Sequence, residues 1–357
     1  MRMISSLTIE GYRCFDHFEM SGLGRVNLLV GKNNSGKTSV LEAIYLLMSE
    51  GEPLSMWHLL QNRGETYLFE TPSSPATTQV GADANHLFPG HRIKVGSELI
   101  LSAADGSTPR RLMFTVVGVP VNGANPAGRP SSGLALRIEG SPQPPFEMVA
   151  LSSDGGISPQ WLEVRPEPAS FPLLIANDTQ VKRLLLGLWD RVVLTPAEGV
   201  VLKALQFIDP DIERIAVQIG GKPYVTGLAR GGFIVKRKGF DFPIPIGSMG
   251  DGMWHLLALA MSITQCRGTV LLVDEIDTGL HYSVMTQMWQ LILSVAKEFD
   301  VQVFATTHSF DCVESLAYAS AGLEDVTVQR IEAGKRKAIP YDREVLKVAA
   351  EHQIEVR

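Results

Sequence analysis

The sequence predicts an α/β fold with a parallel sheet at its centre, on three observations. From Ile246 onward, helical and strand-like apolar runs alternate, and such alternation favours parallel strands with helices on both faces. Between Asn27 and Leu47, an apolar run, a Gly- and Asn-rich loop and an amphipathic stretch follow one another. Glu52 to Thr179 is dense in Pro, Gly and Ser with short strand-like runs between them, which predicts an antiparallel β region.

Each element is predicted from its pattern, in chain order. Met1 to Glu50 reads as strand, hairpin, strand, loop and helix, with alternation broken at Gly11 to Arg13. Strand-like runs follow in "RIKVGSELIL", "RLMFTVVGV" and "LALRI", then helical periodicity in "DTQVKRLLLGLWDRVVL" and "EGVVLKALQFI", then two strands before Pro243. We therefore expect one domain over 1–357, divided into 1–50, a Pro- and Gly-rich β insertion at 51–180, a helical and β region at 181–245, and a final lobe at 246–357.

Composition narrows the class of protein. The chain has 357 residues, 45% of them hydrophobic and 20% charged, and a net charge of -6, which predicts a folded protein without a strongly basic surface for nucleic acid. Three cysteines without close spacing predict a reduced protein with structural, buried thiols. The chain shows no secretion leader pattern. The apolar stretch Leu256 to Val273 is interrupted by polar residues, which leaves it too short to span a bilayer. We therefore expect a cytoplasmic protein that is not inserted in a membrane.

The loop after the apolar run at Asn27 fits the phosphate-binding pattern G-x-x-x-x-G-K-[ST] at every position. Its glycines allow backbone N–H groups to turn toward phosphates, and the following helix directs its positive end at them. Lys37 can reach the β and γ phosphates, and the Thr38 hydroxyl can bind Mg²⁺. The predicted nucleotide-binding residues here are Gly31, Asn33, Asn34, Ser35, Gly36, Lys37, Thr38 and Ser39.

Two acidic residues end a second apolar strand, "TVLLVDEID". Asp274 at the strand tip can hold the metal, and Glu275 beside it can polarise a water for attack on the γ phosphate. Apolar strands that end in two carboxylates also occur without this function, so the pairing with the phosphate loop carries the interpretation. The sequence thus predicts hydrolysis of a nucleotide with Lys37, Glu275 and His308 as its catalytic residues.

His308 and Ser248 are candidates with plainer alternatives. His308 follows the strand "VQVFA" and would lie at the same sheet edge, able to contact the γ phosphate, although a lone histidine there is more often only a satisfied polar residue. Ser248, Gly250 and Gly252 precede a helix. They are either a simple cap and turn or a second phosphate-binding helix start that acts on a neighbouring molecule's nucleotide.

The order of these motifs resembles ABC-type ATPase heads of the RecF/SMC-like group, and more closely the OLD-like (overcoming lysogenization defect) AAA-type ATPases of bacterial defence systems. The resemblance covers about 1–50 and 246–357. It implies ATP and Mg²⁺ as ligands and a head-to-tail homodimer, with each nucleotide between Lys37 of one subunit and Ser248 of the other. By the same resemblance Arg13, in "LTIEGYRCF", contacts the nucleotide, and Asp277, in "DTGL", crosses the interface.

Departures from the family pattern limit the interpretation. Met249 and Asp251 replace the first Gly and the Gln of L-S-G-G-Q, which disfavours a transporter. Gln61 is the candidate for the family's metal-binding glutamine, with a surface loop residue as the equal alternative. Neither a Toprim nuclease cluster nor a coiled-coil arm is recognisable in the sequence. The basic triplets Lys236 to Lys238 and Lys335 to Lys337 are expected to be solvated faces.

Two functions fit these observations. In the first, the chain is an ATP switch of an anti-phage defence system that controls a separate nuclease or toxin. In the second, it is a RecF-like repair or recombination ATPase that acts directly on DNA. Because no second catalytic constellation is visible, we expect a partner to be needed, and we predict that the loop Val121 to Gly133 in the β insertion docks it.

Overall fold

The computed structural model describes residues 3–71, 74–105, 109–119, 133–141, 147–158, 172–175, 178–217 and 232–341. Its helices are α1 (Lys37–Met48), α2 (Pro53–Asn62), α3 (Asp178–Val192), α4 (Pro196–Gln206), α5 (Asp251–Gln265), α6 (Tyr282–Glu298) and α7 (Phe310–Ala319). Its strands are β1 (Ser6–Tyr12), β2 (Phe15–Ser21), β3 (Val26–Val30), β4 (Thr66–Thr71), β5 (Ser74–Asp83), β6 (Glu98–Ala104), β7 (Arg110–Gly118), β8 (Leu134–Ser141), β9 (Glu147–Leu151), β10 (Gly156–Ile157), β11 (Leu173–Ile175), β12 (Ile212–Val217), β13 (Phe233–Arg237), β14 (Ile244–Pro245), β15 (Val270–Val273), β16 (Gln302–Thr306), β17 (Val326–Arg330) and β18 (Ile339–Tyr341).

The predicted parallel sheet is present, with strand order β11-β15-β16-β3-β17-β18. All neighbours in it are parallel except β17 and β18. Because parallel strands are covered on both faces, they appear as continuous apolar runs, and every residue of β3, β15 and β16 is buried. The carboxyl ends of β3, β15 and β16 meet at one edge of this sheet, which is where the candidate residues follow.

The two faces of the parallel sheet belong to two separate hydrophobic cores. Along β3, Val26, Leu28 and Val30 point into the core that contains residues of α3 to α6. Leu29 points into the other core, which contains residues of α1 and of the antiparallel strands. Strand side chains alternate between faces, so β3 joins the two halves of the molecule directly before the phosphate loop.

The antiparallel region is a six-stranded sheet in the order β2-β1-β6-β7-β8-β9. It extends the N-terminal hairpin with strands from the predicted β insertion, and the runs "RLMFTVVGV" and "LALRI" form β7 and β8 as expected. A three-stranded sheet, β10-β5-β4, and another, β12-β13-β14, complete the strands. The α/β fold class predicted from the sequence is confirmed.

Parts of the 51–180 segment differ from a purely β region. Helix α2 lies in it, begun by Pro53 and capped by the Glu52 carboxylate, which accepts a hydrogen bond from the Ser55 N–H at 2.6 Å. Strand β11 also belongs to this segment, but it pairs with β15 in the parallel sheet. The predicted docking loop, Val121 to Gly133, lies outside the described residues except for Gly133. Within the described part of the chain, no helix is both long and apolar enough to cross a membrane.

Candidate nucleotide site

The loop between β3 and α1 has the backbone that its glycines predict. Gly31 and Gly36 have φ of 146° and 100°, and Asn34 between them has φ of 59°. A Cβ at Gly31 would lie 2.2 Å from the Ile331 carbonyl oxygen, and one at Gly36 would lie 2.4 Å from the ring of Phe15. Side chains are excluded at both positions, and a glycine backbone there allows N–H groups to turn toward a phosphate at the start of α1.

Lys37 is folded back onto this loop. Its Nζ donates hydrogen bonds to the carbonyl oxygens of Gly31 at 2.8 Å and Lys32 at 2.9 Å, and the residue is only 5% exposed. Burial lowers the pKa of Lys37, and the carboxylates of Asp274 and Glu275 oppose that shift. A charged amine is thus held in the loop beside two carboxylates, close to the position that phosphate groups would take.

Thr38 and Asp274 bring the loop and β15 together. The Thr38 hydroxyl donates to Asp274 Oδ2 at 2.8 Å, and the Thr306 hydroxyl donates to Asp274 Oδ1 at 2.5 Å. Hydroxyl and carboxylate oxygens are the ligands that Mg²⁺ prefers. The two predicted metal ligands of the loop and the strand therefore lie in direct contact, oriented by a threonine at the end of β16.

Glu275 and His308 lie together at the same edge. Glu275 has φ of 50°, an uncommon conformation for such a residue, and its N–H donates to the Thr306 hydroxyl at 2.8 Å. Its Oε1 is 3.8 Å from His308 Nε2, with 58% of the Glu275 side chain and 37% of the His308 side chain exposed. More than half of the Glu275 side chain is therefore open to solvent, so a water molecule can reach its carboxylate.

The loop after β15 connects the sheet edge that carries Glu275 and His308 to the turn that contains Ser248. Asp277 Oδ1 accepts a hydrogen bond from the Thr307 hydroxyl at 2.6 Å. A Cβ on Gly252 would be 2.9 Å from the Gly279 carbonyl oxygen, so glycine allows the start of α5 to approach this loop. Ser248 and Gly250 themselves are exposed. The turn is therefore packed on its own chain while its outer surface faces solvent.

Arg13 has a different environment from the one expected of a nucleotide contact. The residue is 7% exposed and has φ of 52°. Its guanidinium donates to both oxygens of Glu65, at 2.6 and 2.9 Å, and its Nε lies 2.9 Å from Glu42 Oε2. A nucleotide would have to compete with these partners, so the contact of Arg13 with nucleotide stays a prediction that the geometry does not favour.

Gln61 stays a predicted metal ligand, but its side chain has another partner. Its Nε2 donates to the Gly81 carbonyl at 2.7 Å. The next residue, Asn62, is the one that lines a cavity of about 210 Å³ next to the predicted metal ligands. That cavity is lined by Thr38, Glu42, Leu59, Asn62, Arg63, Leu174 and Asp274.

The residues at this edge fit a nucleotide with Mg²⁺. The Ser35 hydroxyl is buried in the phosphate loop and has no hydrogen-bond partner among the described residues, as expected of a group that a phosphate oxygen would satisfy. Lys37 would neutralise phosphate charge, and Thr38 with Asp274 would hold the metal. When bound, the metal would stabilise charge that develops on the transferred phosphoryl group.

Several residues at the site were missed in the sequence. Thr306 and Thr307 hold Asp274, Glu275 and Asp277, and their place before His308 was a signal for them. Cys14 corrects the expectation of buried thiols, because it is exposed and its sulfur would be 3.1 Å from a Cβ on Gly36. Cys266 and Cys312 are buried as expected. Glu42 had no pattern that distinguished it from other helix glutamates.

Two family models match separate stretches of the chain. Residues 3–85 match the AAA ATPase domain model, and residues 201–311 match the model described as "AAA domain, putative AbiEii toxin, Type IV TA system". The first contains the phosphate loop, and the second contains the Ser248 turn, Asp274 and Glu275. The chain is therefore an ATPase, as the motifs predicted.

Relatives and solved structures agree with this fold. The chain is similar to an ATP/GTP phosphatase of Helicobacter pylori, 20% identical over 88% of this chain and 87% of the relative. It is also similar to the DNA replication and repair protein RecF of Shewanella sp. strain MR-7, 23% identical over 84% and 90%. The crystal structure of an SMC head bound to the C-winged helix domain of ScpA covers 95% of this chain and 97% of that one, at 13% identity and a TM-score of 0.52. The fold is that of an ABC-type ATPase head.

Proposed function

We propose that the chain is an ATP switch that closes head to tail on a second copy and thereby controls a separate effector protein. The observation that carries this proposal is the Ser248 turn, which is packed on the loop of Asp277 and yet presents its outer surface to solvent. Helix α5 begins there without a side-chain cap. Its first N–H groups are suited to a phosphate from another molecule.

The roles within the site follow from its geometry. Lys37 neutralises the β and γ phosphates, and Thr38 and Asp274 hold Mg²⁺ in the proposed site. Glu275 takes the proton of the attacking water as general base, and His308, beside it, senses the γ phosphate. Hydrolysis of a phosphoanhydride depends mainly on position and charge. The half-exposed Glu275 and His308 leave one side of this arrangement for the second copy, with Asp277 near the interface.

The effector is proposed from the comparisons. One matching model carries the description of a putative AbiEii toxin of a Type IV TA system, and the similar SMC head was crystallised with a domain of ScpA. Heads of this fold can thus carry a protein partner. We place the chain in a prokaryotic anti-phage defence system resembling the OLD-like group, with a nuclease or toxin as the effector.

The alternative is a RecF-like ATPase that acts on DNA, which the RecF relative favours. The basic triplets bear on it. Lys236 Nζ lies 3.4 Å from Glu213 Oε2, and Arg237 Nε lies 2.6 Å from Asp209 Oδ2. Lys337 Nζ lies 2.9 Å from Glu19 Oε2. Neighbouring carboxylates thus compensate two charges of the first triplet and one of the second, which reduces the positive charge available for phosphate backbones and supports the switch.

The dimer is tested with two opposed variants. Glu275→Gln should bind ATP and Mg²⁺ without turning it over, so light scattering should show more dimer than in the wild type. Ser248→Arg places bulk and charge against the partner's nucleotide, so its dimer fraction should fall while its monomer still binds ATP. If neither variant changes the dimer fraction, the head-to-tail proposal is wrong.

The two biological functions are separated by binding measurements on the purified protein. A DNA affinity that falls steeply with salt, as phosphate contacts require, would support the RecF-like function. Copurification of a nuclease or toxin whose activity changes between ATP and ADP would support the switch. Glu275→Gln provides the control in which bound ATP is not hydrolysed. If the effector has the same activity with ATP and with ADP, the ATPase does not control it.

A further inference from the structure

A ring of alternating charges lies behind the metal side of the site. Glu42 Oε1 is 2.5 Å from Arg63 Nε, and Glu42 Oε2 is 2.9 Å from Arg13 Nε. The Arg13 guanidinium in turn makes its two hydrogen bonds to Glu65. Arg63 and Glu65 are separated only by Gly64 in the sequence, so the contacts that begin at Arg63 close into a ring at Glu65. We call these four residues the charge ring.

The charge ring joins three elements that meet at the nucleotide site. Arg13 belongs to the turn between β1 and β2, Glu42 to α1, and Arg63 with Glu65 to the corner between α2 and β4. Glu42 is one helical turn after Thr38, so both face the same side of α1. The ring is thus anchored on the helix that carries the predicted metal ligand.

The α2 end of the ring forms a wall of the cavity beside the metal ligands. The residues that line this cavity include Leu59, Asn62 and Arg63 from the α2 end, Thr38 and Glu42 from α1, and Asp274 after β15. Arg63 is partly exposed, with 33% of its side chain accessible, whereas Glu42 is 4% exposed. A buried carboxylate therefore holds a partly exposed arginine in the same cavity lining as Asn62, Thr38 and Asp274.

A buried carboxylate at this position needs both of its partners. Burial raises the pKa of Glu42, and the charges of Arg13 and Arg63 oppose the shift. The ring is neutral in sum, because its two guanidinium groups are matched by two carboxylates. The hydroxyl of Tyr12 also lies 3.4 Å from Glu42 Oε2. Removal of one member leaves its partner buried without compensation, so the corner at 63–65 should shift.

We propose that Arg13 and Glu42 hold the Asn62 and Arg63 wall beside Thr38 and Asp274, and that Arg13, which is outside the lining of this cavity, acts in hydrolysis without touching the nucleotide. Arg13 is then a positioning residue, and its burial and its partners explain why. The inference rests on the proposed nucleotide and Mg²⁺ site, and its test reads the Mg²⁺ dependence of hydrolysis, whereas the dimer is tested separately by light scattering. Glu42 is one turn after Thr38 on α1, and groups just outside a set of metal ligands commonly change metal affinity or activity by about 10–100-fold.

The test uses Arg63→Gln, Arg13→Gln and Glu42→Gln, with Arg25→Gln as the matched control. Arg25 also pairs with a carboxylate, Asp300, at 3.1 Å, but it precedes β3 and so lies at the opposite edge of the parallel sheet. Each ring variant should raise the Mg²⁺ concentration for half-maximal hydrolysis about tenfold and lower kcat. Affinity for a fluorescent ATP analogue in EDTA should stay within about twofold, and Arg25→Gln should change none of these.

Two outcomes would overturn the inference. If Arg13→Gln loses affinity for the analogue in EDTA while Arg63→Gln keeps it, Arg13 contacts the nucleotide directly. If Arg63→Gln, which replaces the most exposed member of the ring and so should fold, leaves the Mg²⁺ dependence and kcat unchanged, the wall has no role. Circular dichroism of each variant checks the fold. The double variant Glu42→Gln, Arg63→Gln should lose no more activity than the worse single variant, because the ring acts as one unit.

Discussion

Replacement of Lys37 by Met should separate ATP binding from stability. The change keeps the side-chain volume and removes an amine that is 5% exposed and bound to two loop carbonyls. Loss of one partner from a buried charge pair costs about 3–5 kcal/mol, and the lower end applies here because the loop opens to solvent. At about 1.4 kcal/mol per factor of ten, ATP affinity should fall about 100-fold.

Stability should respond in the opposite direction. A lysine whose pKa in the folded protein is below its unfolded value opposes folding while the unfolded amine is protonated, and burial lowers the pKa of Lys37 in this way. The melting temperature of Lys37→Met at pH 7 should therefore equal or exceed that of the wild type. Any gain should shrink as the pH approaches 10.5, the ordinary pKa of lysine.

The assay is titration calorimetry with ATP and Mg²⁺, together with thermal unfolding followed by circular dichroism. Lys32→Met is the matched control, because Lys32 is an exposed lysine of the same loop and an exposed charge contributes at most about 1 kcal/mol. Its ATP affinity should fall less than about fivefold. The reasoning is refuted if Lys37→Met binds ATP as Lys32→Met does, or if its melting temperature falls well below the wild-type value.

Two further predictions concern the turn beside the loop. Gly36→Ala should weaken ATP binding at least about tenfold in a folded protein, because its Cβ would lie 2.4 Å from the Phe15 ring and the loop must move. The control is Gly96→Ala, at a glycine with φ of 86° and open space around it, which should leave ATP affinity unchanged. Cys14 should be the cysteine that a bulky maleimide labels, because it is exposed whereas Cys266 and Cys312 are buried, and ATP should slow the labelling. An equal labelling rate with and without ATP would contradict a nucleotide at this turn.

The parts predicted well from sequence are those in which local pattern and fold agree. The strands β3, β15 and β16 are buried on both faces, so their runs are apolar throughout, and the polar residues follow where each strand ends. Asp274 and Thr38 are 236 positions apart and yet share a hydrogen bond of 2.8 Å. Parallel strands with common carboxyl ends bring such residues together, which is why motif order alone could predict that Thr38 and Asp274 meet.

The parts that sequence did not predict depend on tertiary contacts. Arg13 lies at a recognisable position, but its partners Glu42 and Glu65 come from α1 and from the end of α2, and no local pattern indicates that pairing. Helix α2 has only ten residues, too short for periodicity to distinguish it within a Pro-rich segment. Gln61 is predicted by its resemblance to the family's glutamine, whereas the direction of the helix determines that Asn62 lines the cavity.

The two threonines at the end of β16 connect hydrolysis to the proposed interface. Thr306 contacts Asp274 and the backbone of Glu275, and Thr307 contacts Asp277. The loop of Asp277 reaches Gly279, on which the start of α5 is packed through Gly252. Hydrogen bonds from two adjacent threonines thus link the predicted metal ligand and general base to the loop on which the start of α5 is packed. The interface turn is therefore in a position to respond to hydrolysis in its own subunit, while the nucleotide that it is proposed to cover belongs to the other.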